Sequence, residues 1–155
     1  MRRIFALALL AVAVFAGSAR AQPFPGPASP GLARIYFYRT ADIASASVVV
    51  RWTGVFIDGQ KVGDLGASTF FYRDVPPGNY RVSVSSDQPH PDQFQYVLAA
   101  PNTTTFVRVF NVPAWGAHVK TVGGLPQIVW PSVFGNRVTD PATAWAQMVN
   151  LSPAQ

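Results

Sequence analysis

Two histidines and seven aspartates supply the acid–base and metal-ligating chemistry of this 155-residue sequence; glutamate and cysteine are absent. His90 sits in Gln88-Pro-His-Pro-Asp-Gln93, with Asp87 and Asp92 on either side. Such a loop offers imidazole and carboxylate ligands to a cation, and His118 would have to join it from across the fold. A zinc centre takes three or four ligands in closed geometry, and the two histidines are 28 positions apart. No metal ligand set is therefore assigned. The plainer reading of Asp87–Asp92 is a polar connection between strands, shaped by proline and aspartate.

Nucleophilic catalysis requires a serine with an adjacent base and an orienting group. There is no G-x-S-x-G, and Ser132 in Trp-Pro-Ser-Val-Phe-Gly lacks the strand–turn–helix of a nucleophile elbow. A glycosidase pairs two carboxyl groups across the scissile bond. Here Asp58, Asp74 and Asp140 each stand where a turn or a helix cap needs an aspartate. Thr121–Pro126, TVGGLP, is glycine-rich but lacks the Lys-Ser/Thr and the helix of a phosphate loop. No catalytic residue and no cofactor is assigned.

Aromatic residues remain as binding groups: Trp52, Trp115, Trp130 and Trp145, with eleven Phe and five Tyr. Aromatic side chains stack on sugars or anchor protein interfaces. Asn111–His118, NVPAWGAH, is a Pro/Gly-bounded loop carrying one tryptophan. Trp115, with His118 beside it, is the sequence's candidate binding pair.

These groups need elements to position them. Met1-Arg-Arg precedes an uncharged run from Ile4 to Gly17, followed by small residues at Ala19 and Ala21. This is the three-part pattern of a secretory signal peptide cleaved near Ala21. Its apolar run is shorter than the ~20 residues of a membrane-spanning helix, so membrane contact is expected through the export signal only. The location expected is periplasmic or secreted. Cleavage would remove Arg2, Arg3 and Arg20 from the twelve basic residues, leaving nine against seven acids. The whole-chain pI near 10 thus overstates the working charge, and no Lys/Arg cluster remains to follow a nucleic-acid backbone. Without cysteine, the domain must rely on its core rather than on disulfides.

Residues 22–31, QPFPGPASPG, hold four prolines and two glycines and read as a semi-extended tether. From Ala33 the pattern is β: ARIYFYR, SVVVRWTGVFI, STFFYRDV, YRVSVSS, FQYVLAA and TTTFVRVFNV. No strand is followed by a helix long enough for a parallel crossover. In YRVSVSS, Tyr80, Val82 and Val84 share one face while Arg81, Ser83 and Ser85 share the other. In the last strand Phe106 and Arg108 oppose Val107, Val109 and Asn111, with Arg108 expected at a rim.

Two turns are spelled out. Asp58-Gly59 predicts a type I′ hairpin, which needs positive φ at both central positions. Pro77 and Gly78 in Tyr72–Tyr80, YRDVPPGNY, predict a type II turn closing a local hairpin, with Gly78 at positive φ. Asp140-Pro141 predicts a capped helix. Trp145, Met148 and Val149 would form its apolar face, docked either on the protein's own core or on a partner. The organisation expected is a signal peptide over 1–21, a tether over 22–31, a β-sandwich over 32–138, and a C-terminal helix and tail over 139–155.

The order of these features resembles a bacterial exported and lipoprotein family built on domain of unknown function 2846. The resembling segments are Tyr36–Arg39, Phe56–Gly59, Gly63–Leu65, Phe70–Tyr72 and Pro77–Tyr80, within residues 32–112. PEGA-like surface domains, with a similar Asp-Gly … Pro-Gly logic, are the second resemblance. The family resemblance implies an Ig-like or prealbumin-like antiparallel sandwich of about seven strands and an envelope location. It implies no catalytic residues. Many members carry a lipid-anchor cysteine after the signal; this chain has Gln22 there.

Three functions follow as expectations. The first is a non-enzymatic cell-envelope module binding another envelope protein, a glycan or an apolar ligand. The alternative is a small periplasmic hydrolase or metal-dependent enzyme using His90 and His118 with aspartates. The third is a structural component joined by edge strands such as ARIYFYR.

Overall fold

A computed structural model describes residues 24, 26–41, 52–85, 90–112, 118–129 and 133–154. The chain folds as an all-β sandwich with one short C-terminal helix. Its strands are β1 (Ala33–Arg39), β2 (Thr53–Ile57), β3 (Gln60–Leu65), β4 (Thr69–Val75), β5 (Gly78–Val84), β6 (Phe94–Ala99), β7 (Thr104–Val112), β8 (His118–Val122), β9 (Leu125–Val129), β10 (Val133–Thr139) and β11 (Ser152–Pro153). Helix α1 spans Pro141–Met148. One sheet has the order β10-β7-β1-β4-β11 and the other β3-β2-β5-β6, while β8 and β9 form a separate ribbon. The strand expected from Ser47 is described only from Thr53 onward.

The strand ARIYFYR lies at the centre of the five-stranded sheet, not at an edge. All seven of its residues are buried. Period-2 alternation sends Ala33, Ile35 and Phe37 into the core between the sheets, where they meet Val55, Leu65, Val82, Val97, Val107 and Val109. Tyr36 and Tyr38 point the other way, into a second cluster with Phe70, Phe106, Ala144, Met148 and Leu151. Helix α1 therefore covers the outer face of this sheet, making a third layer. Removing a fully buried apolar side chain from water contributes roughly 1.5–3 kcal/mol, so a strand buried on both faces anchors the whole fold.

β1 runs antiparallel to β4 but parallel to β7, and β11 runs parallel to β4. The sheet is thus mixed where a wholly antiparallel one was expected. Between β1 and β7 the chain forms the four strands of the second sheet and β4 of the first, and among the described residues no α-helix makes the crossover.

The stretch YRDVPPGNY does not close a hairpin. β4 pairs with β1 and β11, whereas β5 pairs with β2 and β6. Pro76 and Pro77 carry the chain from one sheet to the other, Gly78 is already the first residue of β5, and it is not among the glycines at positive φ. The physical reason is that proline ends a ladder equally well before a hairpin and before a change of sheet. The Tyr80 hydroxyl donates to the Pro76 carbonyl at 2.7 Å and holds the corner. The Asp58-Gly59 turn is as expected, with φ of 49° and 82°, and a bulge between Val55 and Phe56 shifts its register.

Asp140 caps α1, its carboxylate accepting the Thr143 N–H at 2.9 Å. The helix docks on its own sheet through Ala144 and Met148, both fully buried. Trp145 packs its edge against Phe106 at 4.9 Å and Tyr36 at 5.7 Å. Val149, expected on the same face, is exposed, because i, i+4 docking by Ala144 and Met148 rotates the stripe away from it.

The proline-rich segment also joins the domain. Phe24 meets Trp145 at 4.8 Å and Phe70 at 5.4 Å. The Arg34 guanidinium donates to the Gly26 carbonyl, and Gly31 N–H to Asn102 Oδ1 at 2.9 Å.

Candidate functional site

The polar residues with chemical potential land in structural roles. Asp58 Oδ1 accepts the Arg81 backbone N–H at 2.8 Å, and its own N–H donates to the Arg81 carbonyl at 2.9 Å. The β2–β3 turn is thereby latched to β5. Asp64 pairs with Lys61 at 2.9 Å. Asp74 accepts two bonds from the Arg34 guanidinium, at 2.6 and 2.8 Å, a bidentate pair of the stronger kind. That hydrogen-bonded contact holds the Asp74 carboxyl below its usual range and the Arg34 cation above its own; the guanidinium also stacks 4.1 Å over the Tyr72 ring. Burial pushes the Tyr36 and Tyr38 hydroxyls up, and the Tyr38 hydroxyl donates to Gln147 Oε1 at 2.8 Å.

His90 caps the 3-10 turn Pro91–Gln93, its Nδ1 accepting the Asp92 N–H at 3.2 Å. Asp92 Oδ2 stands 3.8 Å away. Among the described residues, no three of His, Cys, Asp or Glu gather as a metal-ligand set. His118 begins β8, opposite Val129; its side chain, Trp115, Trp130, Ser132 and Asp87 lie outside the described residues. The glycines of TVGGLP, at φ 60° and 83°, form the turn between β8 and β9.

A groove of about 370 Å³ opens at the corner where β4 crosses to β5, lined by Asp58, Gln60, Val62, Arg73, Asp74 and Tyr80 among others. Most of its polar side chains are already engaged. Arg73 donates to the carbonyls of Tyr72, at 3.0 Å, and Val62, while Asp58, Asp74 and Tyr80 make the contacts above. The seam holds the two sheets together and leaves few free groups for a ligand.

The outer face of the four-stranded sheet is different. On β6, Val97 and Ala99 fill the core, while Phe94, Tyr96 and Leu98 point outward with 44%, 66% and 74% of their surface exposed. Across the ladder they face Ser83, Arg81 and Asn79. The Arg81 guanidinium lies 4.8 Å over the Phe94 ring, and Phe94 and Tyr96 meet edge to face at 6.4 Å. Trp52, just before β2, is 54% exposed and lays its indole against Gly66. Scattered exposed apolar residues need no explanation; these three lie contiguously along one face of one strand. The sequence carries a faint signal of it: FQYVLAA has apolar residues in both phases of the alternation, so one set must face water unless the strand is covered on both sides.

A family model described as "Protein of unknown function (DUF2846)" matches residues 29–125. No curated protein matches the chain. Among solved structures, the N-terminal domain of AlgF from P. aeruginosa is similar over 68% of this chain and 98% of that one, at 19% identity and a TM-score of 0.38.

Proposed function

We propose, from the premise that the chain belongs to the DUF2846 family, that it is an exported cell-envelope module that binds a protein partner and does no catalysis. The observation that carries this reading is the outward stripe Phe94, Tyr96 and Leu98. Exposed aromatic and aliphatic groups on a rigid sheet make an anchor surface at low entropic cost. The signal-like residues 1–21 support export. The engagement of Asp58, Asp64, Asp74, Asp92 and Asp140 in turns, ion pairs and caps supports a binding role over hydrolysis.

The test has two arms. Cell fractionation with intact-mass measurement should find a species lacking about 21 residues outside the cytoplasm; a full-length cytoplasmic species refutes export. A photo-crosslinking residue at Tyr96 should give a discrete protein adduct in cells, whereas one at Arg137 should not. Equal adducts from both positions refute the stripe as the binding surface.

A further inference from the structure

The free edge of β6 is hydrogen-bonding backbone as well as apolar side chain. Arg81 directs its N–H to Asp58 Oδ1 and its carbonyl to Asp58 N–H, so both groups point toward β2. Its cross-strand partner Tyr96 is therefore in a non-hydrogen-bonded pair, with its own N–H and C=O pointing away from β5. By the period of two, the same holds for Phe94 and Leu98. Three residues thus expose their side chains and turn their backbone donors and acceptors away from β5, on the strand whose Gln95 side chain reaches β10 at Val138 N–H. Among the described residues, no strand pairs with this edge.

The other three edges of the two main sheets are blunted in the ways proteins use against strand addition. β3 carries Lys61 and Asp64 and lies beside a bulge. β11 has two residues, one of them Pro153. β10 carries Arg137, and its Val138 N–H is taken by Gln95 Oε1 at 3.0 Å. β6, FQYVLA, has no charge, proline or bulge.

We propose that β6 pairs antiparallel with β6 of a second copy, giving a two-fold dimer with a continuous eight-stranded sheet. This names the partner of the stripe described above and rests on that reading. The register follows from the free groups. Centring the axis on Tyr96 sets Tyr96 against Tyr96 of the partner subunit, and Phe94 against Leu98 of the partner subunit. All three free N–H and all three free C=O groups then find acceptors and donors. The outward faces match aromatic and aliphatic groups across the join, the pairing that stabilises sheets. No charged residue meets a like charge: each Arg81 stands one strand back, three strand spacings from its counterpart, roughly 14 Å, beyond the Debye length at physiological salt. A two-fold operator makes the contact self-complementary and closed.

The mature chain, from Gln22, should give twice the monomer mass in light scattering coupled to gel filtration. L98K should give the monomer mass with an unchanged circular-dichroism spectrum and melting point. Because the chain has no cysteine, single cysteines report register cleanly. Y96C should form a covalent dimer with a short bis-maleimide. F94C should link to L98C when the two are mixed, and neither should link to itself. A monomeric wild type overturns the proposal, as does a dimer that survives L98K or crosslinks without this register. Export is scored independently by fractionation, so its failure leaves the dimer test standing; a wild-type monomer that still gives a discrete Tyr96 adduct assigns the stripe to a foreign protein.

Discussion

Replacing Gly59 or Gly78 by alanine separates a turn that needs left-handed backbone from a corner that does not. Gly59 has φ 82°, and a Cβ placed there meets nothing within 4 Å. Its cost is purely conformational: roughly 1–2 kcal/mol for an L-residue in the left-handed region, less a few tenths for the stiffer unfolded chain. Gly78 has no positive φ, and a Cβ there lies 3.5 Å from the Tyr80 ring, an ordinary contact. Alanine should be neutral there, or stabilising by up to ~1 kcal/mol through unfolded-state entropy. The two variants should differ by about 1–2.5 kcal/mol. For a domain of this size that corresponds to roughly 4–10 °C in Tm, with G59A lower. Urea melts read by circular dichroism, with unchanged m-values, provide the free energies. If G78A loses as much as G59A, the residue is left-handed, and Pro77-Gly78 closes a local turn instead of carrying the chain between sheets.

Three further outcomes test the packing. M148A removes a fully buried side chain and should cost about 2–5 kcal/mol; a loss below 1 kcal/mol in the same melts would show that α1 does not dock on the sheet. F24A, which deletes a half-buried ring between Phe70 and Trp145, should cost about 1–2 kcal/mol, and an unchanged Tm would detach the proline-rich segment from the domain. The Arg34 pair lowers the folded Asp74 value, so its stabilisation is complete above the ordinary carboxylate range near ~4 and disappears as pH falls through the lowered value. Tm followed from neutral to strongly acidic pH should show D74N lower at neutral pH and flatter on the acid limb; curves parallel to wild type would remove Asp74 as the source.

Local chemistry was legible wherever a residue's role is decided by its neighbours in sequence. Asp58-Gly59, the Asp140 cap with Pro141, and the alternation of Val82 and Val84 against Arg81 and Ser83 all stand as expected. What the sequence left open is set by contacts far along the chain. Proline and glycine after Val75 end a strand but do not say which sheet receives the next one. ARIYFYR alternates in volume yet is buried throughout, because α1, about a hundred residues later, covers the tyrosine face. Arg108, expected at a rim, is half-buried and donates to Thr40 Oγ1 at 3.1 Å. Trp115, the candidate anchor named from sequence, lies outside the described residues; the exposed stripe the structure does describe is built from Phe94, Tyr96 and Leu98, whose exposure depends on β6 being an edge.

The placement of the family's recognisable residues bears on where function can lie. Tyr36–Arg39, Phe56–Gly59, Gly63–Leu65, Phe70–Tyr72 and Pro77–Tyr80 sit largely in the two cores, the β2–β3 turn and the sheet-to-sheet corner. Their types follow from packing and turn geometry: Phe71 closes over Gly63 at a distance no Cβ would allow. None of these reasons applies to Phe94, Tyr96 and Leu98. Val97 and Ala99 already supply the core side of β6, and the adjoining β5 shows that the outer face accepts Arg81 and Ser83. Polar residues at the three β6 positions would keep the fold and improve solubility. Large apolar groups stand there instead, on a strand edge without the charges and proline of the other edges of the two main sheets, and these are the groups the proposed pairing would cover. The fold and the proposed interaction surface are thus carried by different residues, which makes L98K informative: if β6 pairs as proposed, it should remove association while leaving the sandwich intact.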